Sequence, residues 1–166
     1  MFPIAHAWLL ERLVDAAWEP FTAPAGERPT GKAIPRLIGK CWHGLSADVS
    51  RLSASDAGAH DWHQVRIDVK RLRYSCEAAI PMFGRSAERL AKIAAGLQDS
   101  LGENQDAVIA SDLLHTIATS RGGSTIAFTL GLLHARQDEQ ASVARAKFAK
   151  QWKAATKAGS LTWLGG

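Results

Sequence analysis

Apolar residues recur through most of the chain at intervals of three and four, the spacing that puts side chains on one side of an α-helix. No segment shows the alternation of apolar and polar residues that is typical of a β-strand. We predict helices over residues 4–18, from near Pro35 through Val49, and over 62–80, 86–114 and 126–157. This order predicts an all-α fold, an antiparallel bundle in which a four-helix half-module follows an N-terminal helix.

Glycine and proline mark the predicted ends of these helices. Residues 22–31 hold two prolines and two glycines and are predicted to be a linker. We expect Pro35 in the first turn of the second helix, Asp61 as the N-cap of the third, and an end of the third helix before Pro81. The predicted segments are an N-terminal helix and linker (1–32), the bundle (33–158) and a C-terminal tail (159–166).

The apolar positions of each helix should face the core. In the second helix they are Leu37, Ile38, Cys41, Leu45 and Val49. In the third helix they are Trp62, Val65, Val69, Leu72, Cys76 and Ile80. In the last helix Ala141, Ala144, Phe148, Trp152 and Ala155 lie opposite Lys147, Lys150, Lys153 and Lys157, a face that we interpret as solvated.

A row of polar residues runs beside the apolar seam of the third helix. We call it the basic row: His63, Arg66, Lys70 and Arg73, with Glu77 following. Because like charges four residues apart repel, a bound anion would explain why they lie together. Arginines can grip phosphate oxygens with two N–H groups, a lysine acts as a point charge, and the histidine is a further donor. A solvated or internally paired basic face is the alternative that stays open.

Polar residues also lie beside the apolar seam of the fourth helix: Gln98, Gly102, Gln105 and Asp106. A glycine inside a helix costs about 1 kcal/mol relative to alanine, so Gly102 predicts either a close approach of another helix or a helix end. Gln98 and Asp106 can hold arginine or lysine side chains of the facing helix. An ordinary helix surface is the alternative.

Composition narrows the function classes. The chain has 166 residues, 46% hydrophobic and 22% charged, which is typical of one globular domain. Its net charge of +4 and its pI near 9.3 favour an anionic partner without identifying one. Cys41 and Cys76 are too far apart for a disulfide framework or zinc ribbon, which indicates a reducing, cytoplasmic compartment. The apolar stretch at 4–10 is shorter than the ~20 residues of a membrane span, so we expect no membrane partner.

Taken together, the two polar segments resemble the conserved histidine α-helical domain, the CHAD domain. The first is His63-x-x-Arg66-x-x-x-Lys70-Arg71-Leu72-Arg73-Tyr74 with Glu77; the second is Leu97-Gln98-x-x-Leu101-Gly102-x-x-x-Asp106. The resemblance covers about residues 33–157 and the second half of the family module. It implies two pseudo-symmetric four-helix halves around a basic groove or pore that binds inorganic polyphosphate, in some relatives beside a triphosphate-tunnel domain or at polyphosphate granules.

The resemblance also assigns roles to residues. It implies polyphosphate binding by His63, Arg66, Lys70, Arg71 and Arg73, with Arg36, Lys40 and His43 extending the track. It implies supporting roles for Tyr74, Glu77, Gln98 and Asp106. The first 20 residues resemble the end of a first half whose own basic row is absent. Either a first half-module is missing, or a homodimer brings two basic rows face to face.

Binding of polyphosphate requires no catalysed reaction. We therefore predict that the protein is not an enzyme and that it has no catalytic residue, cofactor or metal. A polyphosphate or triphosphate hydrolase needs clustered carboxylates for Mg²⁺ or a glycine-rich phosphate loop, and the sequence shows neither beside the basic row. The less favoured alternative is therefore that this chain is an accessory part of such a hydrolase. Stacking aromatics are missing from the basic row apart from Tyr74, so nucleic acid should bind only non-specifically. The remaining alternative is a structural domain for protein interactions that binds polyanions non-specifically. We expect the protein in the cytoplasm, at polyphosphate granules where these exist.

Overall fold

The structure, a computed structural model, describes residues 29–52, 58–120, 124–157 and 159–164, together with Arg12, Val14 and Asp15. These ranges hold α1 (Thr30–Leu52), α2 (Ala59–Phe83), α3 (Arg85–Ser120), α4 (Ser124–Lys157) and a 3-10 helix (Gly159–Leu164). No β-strand occurs among the described residues, and the all-α prediction is confirmed. The predicted helix at 4–18 and the linker at 22–31 lie largely outside the described residues. The chain divides into two compact units, Met1–Ala33 and Ile34–Gly166.

The start of α1 differs from the prediction. The helix begins at Thr30, so Pro35 lies inside it and not in its first turn. The carbonyl oxygen of Pro29 accepts hydrogen bonds from the N–H groups of Lys32 and Ala33, at 2.9 and 3.0 Å, and this closes the first turn upstream. Pro35 is the sixth residue of α1, beyond the first four residues whose N–H groups lack a helical partner, so it removes one helical hydrogen bond, to the Gly31 carbonyl.

Both ends of α2 also differ from the prediction. The N-cap is Gly58, and Asp61 lies inside the helix, where its Oδ2 accepts a hydrogen bond from the Gly58 N–H at 2.9 Å. At the other end the helix continues through Pro81 to Phe83 and ends at Gly84, whose φ is 52°. Glycine adopts this left-handed backbone without a Cβ clash, so Gly84 and not Pro81 sets the end of the helix.

The core lies between the four helices. α1 contributes Ile38, Trp42, Leu45 and Val49, at spacings of four, three and four. Leu37, predicted to face the core, is 59% exposed, because it lies about 100° around the helix from Ile38. Trp42 takes the core position that the prediction missed and stacks on Trp152 of α4 with the ring centroids 4.9 Å apart.

The remaining seams follow the predicted pattern. α2 buries Val65, Val69, Leu72 and Cys76 completely, and half-buries Trp62 and Ile80. In α4, Ala141, Ala144, Phe148 and Ala155 are buried, and the four predicted surface lysines are exposed. The C-terminal segment contributes Leu161, Trp163 and Leu164 to the edge of the core. Gly39 of α1 is buried beside this segment. The carbonyl oxygen of Leu164 lies 3.6 Å from the position that a Cβ of residue 39 would take.

Polar contacts join the two long helices, α3 and α4. Ser100 Oγ donates a hydrogen bond to Gln151 Oε1 at 2.7 Å, and Arg145 Nε donates one to Asn104 Oδ1 at 2.8 Å. Further along the hairpin, Ser111 Oγ donates to Asp138 Oδ1 at 2.6 Å. These contacts fix the register of the two antiparallel helices. None of the described helices combines the length and the apolar character needed to cross a membrane.

Candidate polyanion-binding site

The basic row forms one stripe along α2. His63 is exposed, while Arg66, Lys70 and Arg73 are half-buried. The row lies about 120° around the helix from the centre of the buried seam, at the edge between core and solvent. The periodicity of α2 explains this placement, since the same three-and-four spacing that buries the seam repeats one residue later. The structure therefore brings these four predicted residues together.

The row faces α3 and not α1. Asp68 is buried on the α1 side of α2, where its carboxyl shares a hydrogen bond with Asp48 of α1. Arg66 and Arg73 lie roughly 150° around α2 from Asp68. Consistent with this, the pKa of the Arg73 guanidinium is raised, mainly by its hydrogen bond to Glu77 and to a smaller degree by Asp99 of α3.

The opposite wall is formed by α3. Because α2 and α3 are antiparallel and join at Gly84, residues equally distant from Gly84 lie level with each other. Arg66 and Gly102 are both 18 residues from it, and Lys70 and Gln98 are both 14 residues from it. We call the surface that the basic row forms with Gln98, Gly102, Gln105 and Asp106 the α2–α3 groove. Gln98 and Gln105 are half-buried on this wall, and Asp106 is exposed.

Gly102 has neither of the two predicted roles. It lies within α3, which continues to Ser120, so it does not end the helix. No atom of another described element lies within 4 Å of the position that a Cβ would take, so no described helix approaches it closely. Both expectations were wrong, because sequence periodicity says nothing about the space above a helix surface. That space is open to the groove.

The positive charges of the row are only partly neutralised. Arg73 Nε donates to Glu77 Oε1 at 2.7 Å. Arg66 and Lys70 form no ion pair with any residue in the described ranges. The Nε of Arg66 and the Oε1 of Gln98 are buried and have no hydrogen-bond partner among the described residues. The groove thus holds uncompensated positive charge and unused hydrogen-bonding capacity.

Arg71 lies away from the row. It is about 120° around α2 from the row's centre, and its Nη1 donates to Asp68 Oδ1 at 2.9 Å. An acidic residue three positions earlier on the same helix is the sequence signal that could have indicated this pairing. The structure does not bring Arg71 into the α2–α3 groove.

The basic residues of α1 also lie elsewhere. Arg36, Lys40 and His43 are all exposed, about 150° around α1 from its buried seam. They therefore face solvent, and α1 contacts the flank of α2 opposite to the basic row. The structure does not bring these three residues together with the row on one surface.

Tyr74 and Arg145 lie near the basic row in the structure. Tyr74, predicted to support the row, is 56% exposed, and the Arg73 guanidinium carbon lies 6.0 Å from its ring centroid. Arg145 of α4 was not predicted at all. Its guanidinium lies 5.5 Å from the ring of Trp62, the residue before His63, and also binds Asn104. Such contacts depend on the register of α4, which the sequence pattern does not reveal.

Comparison with known families agrees with the two polar segments. The CHAD domain family model matches residues 5–115, so the match starts before the stretch of the predicted resemblance and ends within α3. No curated protein and no solved structure gives a significant match. In the described ranges no group of three histidine, cysteine or acidic side chains could hold a metal ion. Because the family match covers more than half of the sequence and includes both polar segments, the chain belongs to the CHAD domain family.

Proposed function

We propose that this protein binds inorganic polyphosphate in the α2–α3 groove through the basic row. The observation that carries the proposal is the pair Arg66 and Lys70, which lie one turn apart on an open surface without an ion pair in the described structure. Membership of the CHAD domain family supports the same ligand. Binding of this kind requires no catalytic step, and we propose a binding module and not an enzyme.

The shape of the row suits a linear polyanion. From His63 to Arg73 the row extends about 15 Å along the axis of α2, at 1.5 Å per residue. A chain of phosphates laid along it would meet a cation at every turn of the helix. Arginine can donate two hydrogen bonds to one phosphate, which favours a fixed position over loose attraction. Affinity would come mainly from charge neutralisation and would therefore fall with salt.

Other parts of the proposal follow from the same ligand. We propose that the protein works in the cytoplasm, at polyphosphate granules where these exist. A second basic surface would come from a second copy of the chain or from a first half-module. Specific recognition of nucleic acid is not part of the proposal, since Tyr74 is the one aromatic side chain beside the row among the described residues.

A second candidate function is a domain for protein interactions. Large apolar residues are exposed on the parts of α3 and α4 farthest from the core cluster, including Ile109, Leu113, Phe128 and Leu132. A partner protein could cover such residues, with polyanion binding then only non-specific. The two candidates differ in what they predict for the basic row.

The test is a calorimetric titration of long-chain polyphosphate into the protein at about 50 mM and about 200 mM salt. Pyrophosphate and a short DNA duplex serve as competitors. The variant R66A/K70A removes two charges from the row, and K150A/K153A removes two exposed charges from α4 as its matched control.

We expect tight binding that weakens steeply with salt, resists DNA, and falls at least about tenfold in R66A/K70A, the effect of losing roughly 1.4 kcal/mol. The control should change affinity by less than about threefold. Equal competition by DNA, or equal effects of the two double variants, would contradict the proposal and favour the protein-interaction alternative.

A further inference from the structure

We propose that Gly102 is a contact point of the site, where the polyanion comes closest to the bundle. The phosphate bound by Arg66 lies over the α3 backbone at Gly102, in the space that a side chain would otherwise fill. This inference rests on the proposed function and adds to it a position on α3 that receives the ligand.

The structure gives Gly102 no packing role. Glycine is the least favourable residue inside a helix apart from proline, so its presence in the middle of α3 needs a reason. A Cβ at Gly39 or Gly96 would make only ordinary van der Waals contacts, and Gly31, Gly44 and Gly131 have open space as Gly102 does, so what distinguishes Gly102 is its place beside the basic row. At Gly102 no other described element lies within 4 Å of the place of a Cβ, and Gly84 is the one described glycine with a positive φ. Neither packing nor backbone conformation therefore explains Gly102.

Unused hydrogen-bonding groups lie around the same open space. Arg66 is level with Gly102 across the groove, and its buried Nε has no partner among the described residues. Gln98 lies one turn before Gly102, and its Oε1 is likewise buried without a partner in the described structure. A phosphate over Gly102 can accept hydrogen bonds from the Arg66 guanidinium once that side chain turns towards the groove. The Gln98 amide can turn its NH₂ group towards the same phosphate.

A methyl group at this position would act only on the ligand. It has room in the free protein, so it should not disturb the helix, and alanine is the better helix former. With a phosphate in the groove, the methyl group would hold the phosphate oxygens away from Arg66 and lengthen the hydrogen bond. Hydrogen bonds weaken steeply beyond their normal range of about 2.7–3.2 Å. Stability and affinity should therefore change in opposite directions.

The experiment compares Gly102→Ala with Gly131→Ala. Gly131 also lies inside a long helix with nothing within 4 Å of a Cβ, but on α4 and away from the row. Both variants should unfold a few degrees above the parent, roughly the effect of replacing a helical glycine. Polyphosphate affinity should fall about five- to tenfold in Gly102→Ala and by less than about twofold in Gly131→Ala, which corresponds to one weakened charged hydrogen bond.

The outcomes separate this inference from the proposed function. If the parent binds polyphosphate, R66A/K70A does not, and Gly102→Ala binds like the parent, the contact at Gly102 is wrong and the proposed function stands. If Gly102→Ala unfolds below the parent while Gly131→Ala does not, the space is not open and the inference is also wrong. If the parent does not bind polyphosphate, the proposed function fails, and the inference with it.

Discussion

Arg73 donates a hydrogen bond from Nε to Oε1 of Glu77 at 2.7 Å, one turn along the same helix. This places a counter-charge at the end of the basic row. A polyanion must compete with Glu77 for the Arg73 guanidinium, because a carboxylate and a phosphate bind the same donors. The pair therefore limits how strongly the row can bind.

Replacing Glu77 with glutamine should strengthen polyphosphate binding. The amide keeps the shape of the side chain but loses the charge, which frees Arg73 for the ligand. We expect affinity to rise about two- to threefold, since exposed ion pairs are weak. Calorimetric titration of Glu77→Gln at low salt measures the change.

Glu88→Gln is the matched control for this variant. Glu88 accepts a hydrogen bond from Lys92 at 2.8 Å in the same four-residue spacing, but near the start of α3. It should leave the affinity unchanged within a factor of about two, because the lost pair lies outside the groove. A similar gain in both variants would show that only net charge matters and that Arg73 has no special part.

The carboxyls of Asp48 and Asp68 meet between α1 and α2. The pKa of Asp48 is raised, mainly by its hydrogen bond to Asp68 and then by desolvation, with Arg51 acting against both. A carboxyl with a raised pKa in the folded state contributes stability below its unfolded pKa and loses this contribution as the pH rises through the folded value. At neutral pH the ionised Asp48 therefore weakens the fold.

Asp48→Asn should be more stable than the parent at pH 7. The amide cannot ionise and can still donate a hydrogen bond to Asp68. The advantage should shrink as the pH falls towards the ordinary aspartate pKa of about 3.9, where the parent carboxyl is protonated as well. Urea unfolding at several pH values tests this, with Asp112→Asn as the exposed control. A stability difference that is constant with pH would contradict the shared hydrogen bond.

Ser111 joins α3 to α4 away from the basic row. Its buried Oγ donates to Asp138 and also shares a hydrogen bond with Nδ1 of His134. Ser111→Ala should lower the free energy of unfolding by about 1 kcal/mol, because two hydrogen bonds of a buried hydroxyl are lost while its partners, half-buried His134 and exposed Asp138, can turn to water. Polyphosphate affinity should stay within a factor of about two of the parent, since the cluster is distant from the groove.

Thr116→Ala is the control for Ser111, since Thr116 is exposed and its Oγ1 donates to the carbonyl of Asp112 in its own helix. It should change stability by less than about 0.5 kcal/mol. Equal effects of the two substitutions would mean that the cross-helix cluster contributes nothing. Loss of binding in Ser111→Ala would mean that the site extends into this part of the hairpin.

Cys76 of α2 is completely buried in the core of the bundle. Burial, with smaller contributions from Cys41 and Glu77, raises the pKa of its thiol to about 12. In a Cys41→Ser variant, Cys76 should resist iodoacetamide at pH 8 until the protein unfolds, because the thiolate is the reactive form. Its contribution to stability should be present below its ordinary pKa of 9.0 and be lost as the pH rises towards about 12. Labelling of the folded protein at the unfolded rate would contradict this burial.

Much of α2 could be predicted from the sequence. Helical periodicity is a local property, so the spacing of Val65, Val69 and Leu72 located both the buried seam and the row beside it. The same reasoning failed at Leu37, which lies about 110° around α1 from the centre of its buried seam and is exposed. Periodicity alone does not select Ile38 over Leu37, and the stacking of Trp42 on Trp152 decides it.

Relations between helices could not be predicted in the same way. Arg36 and Lys40 lie apart from the basic row because α1 contacts the opposite flank of α2. The contact between Asp48 and Asp68 identifies that flank, and it is visible only in the structure. The bond from Arg145 to Asn104 depends on the register of α4 against α3. The open space at Gly102 is also a property of the packed structure, because a sequence shows a glycine but not its surroundings.

The most direct test of the account maps the polyphosphate contact on the protein itself. Amide chemical shifts of the ¹⁵N-labelled protein would be followed during a titration with long-chain polyphosphate at about 150 mM salt. We predict that the largest changes fall on residues 63–73 of α2 and 98–106 of α3, and that they vanish in R66A/K70A. Largest changes on the lysine face of α4, at residues 147–157, would contradict the assignment of the site to the α2–α3 groove.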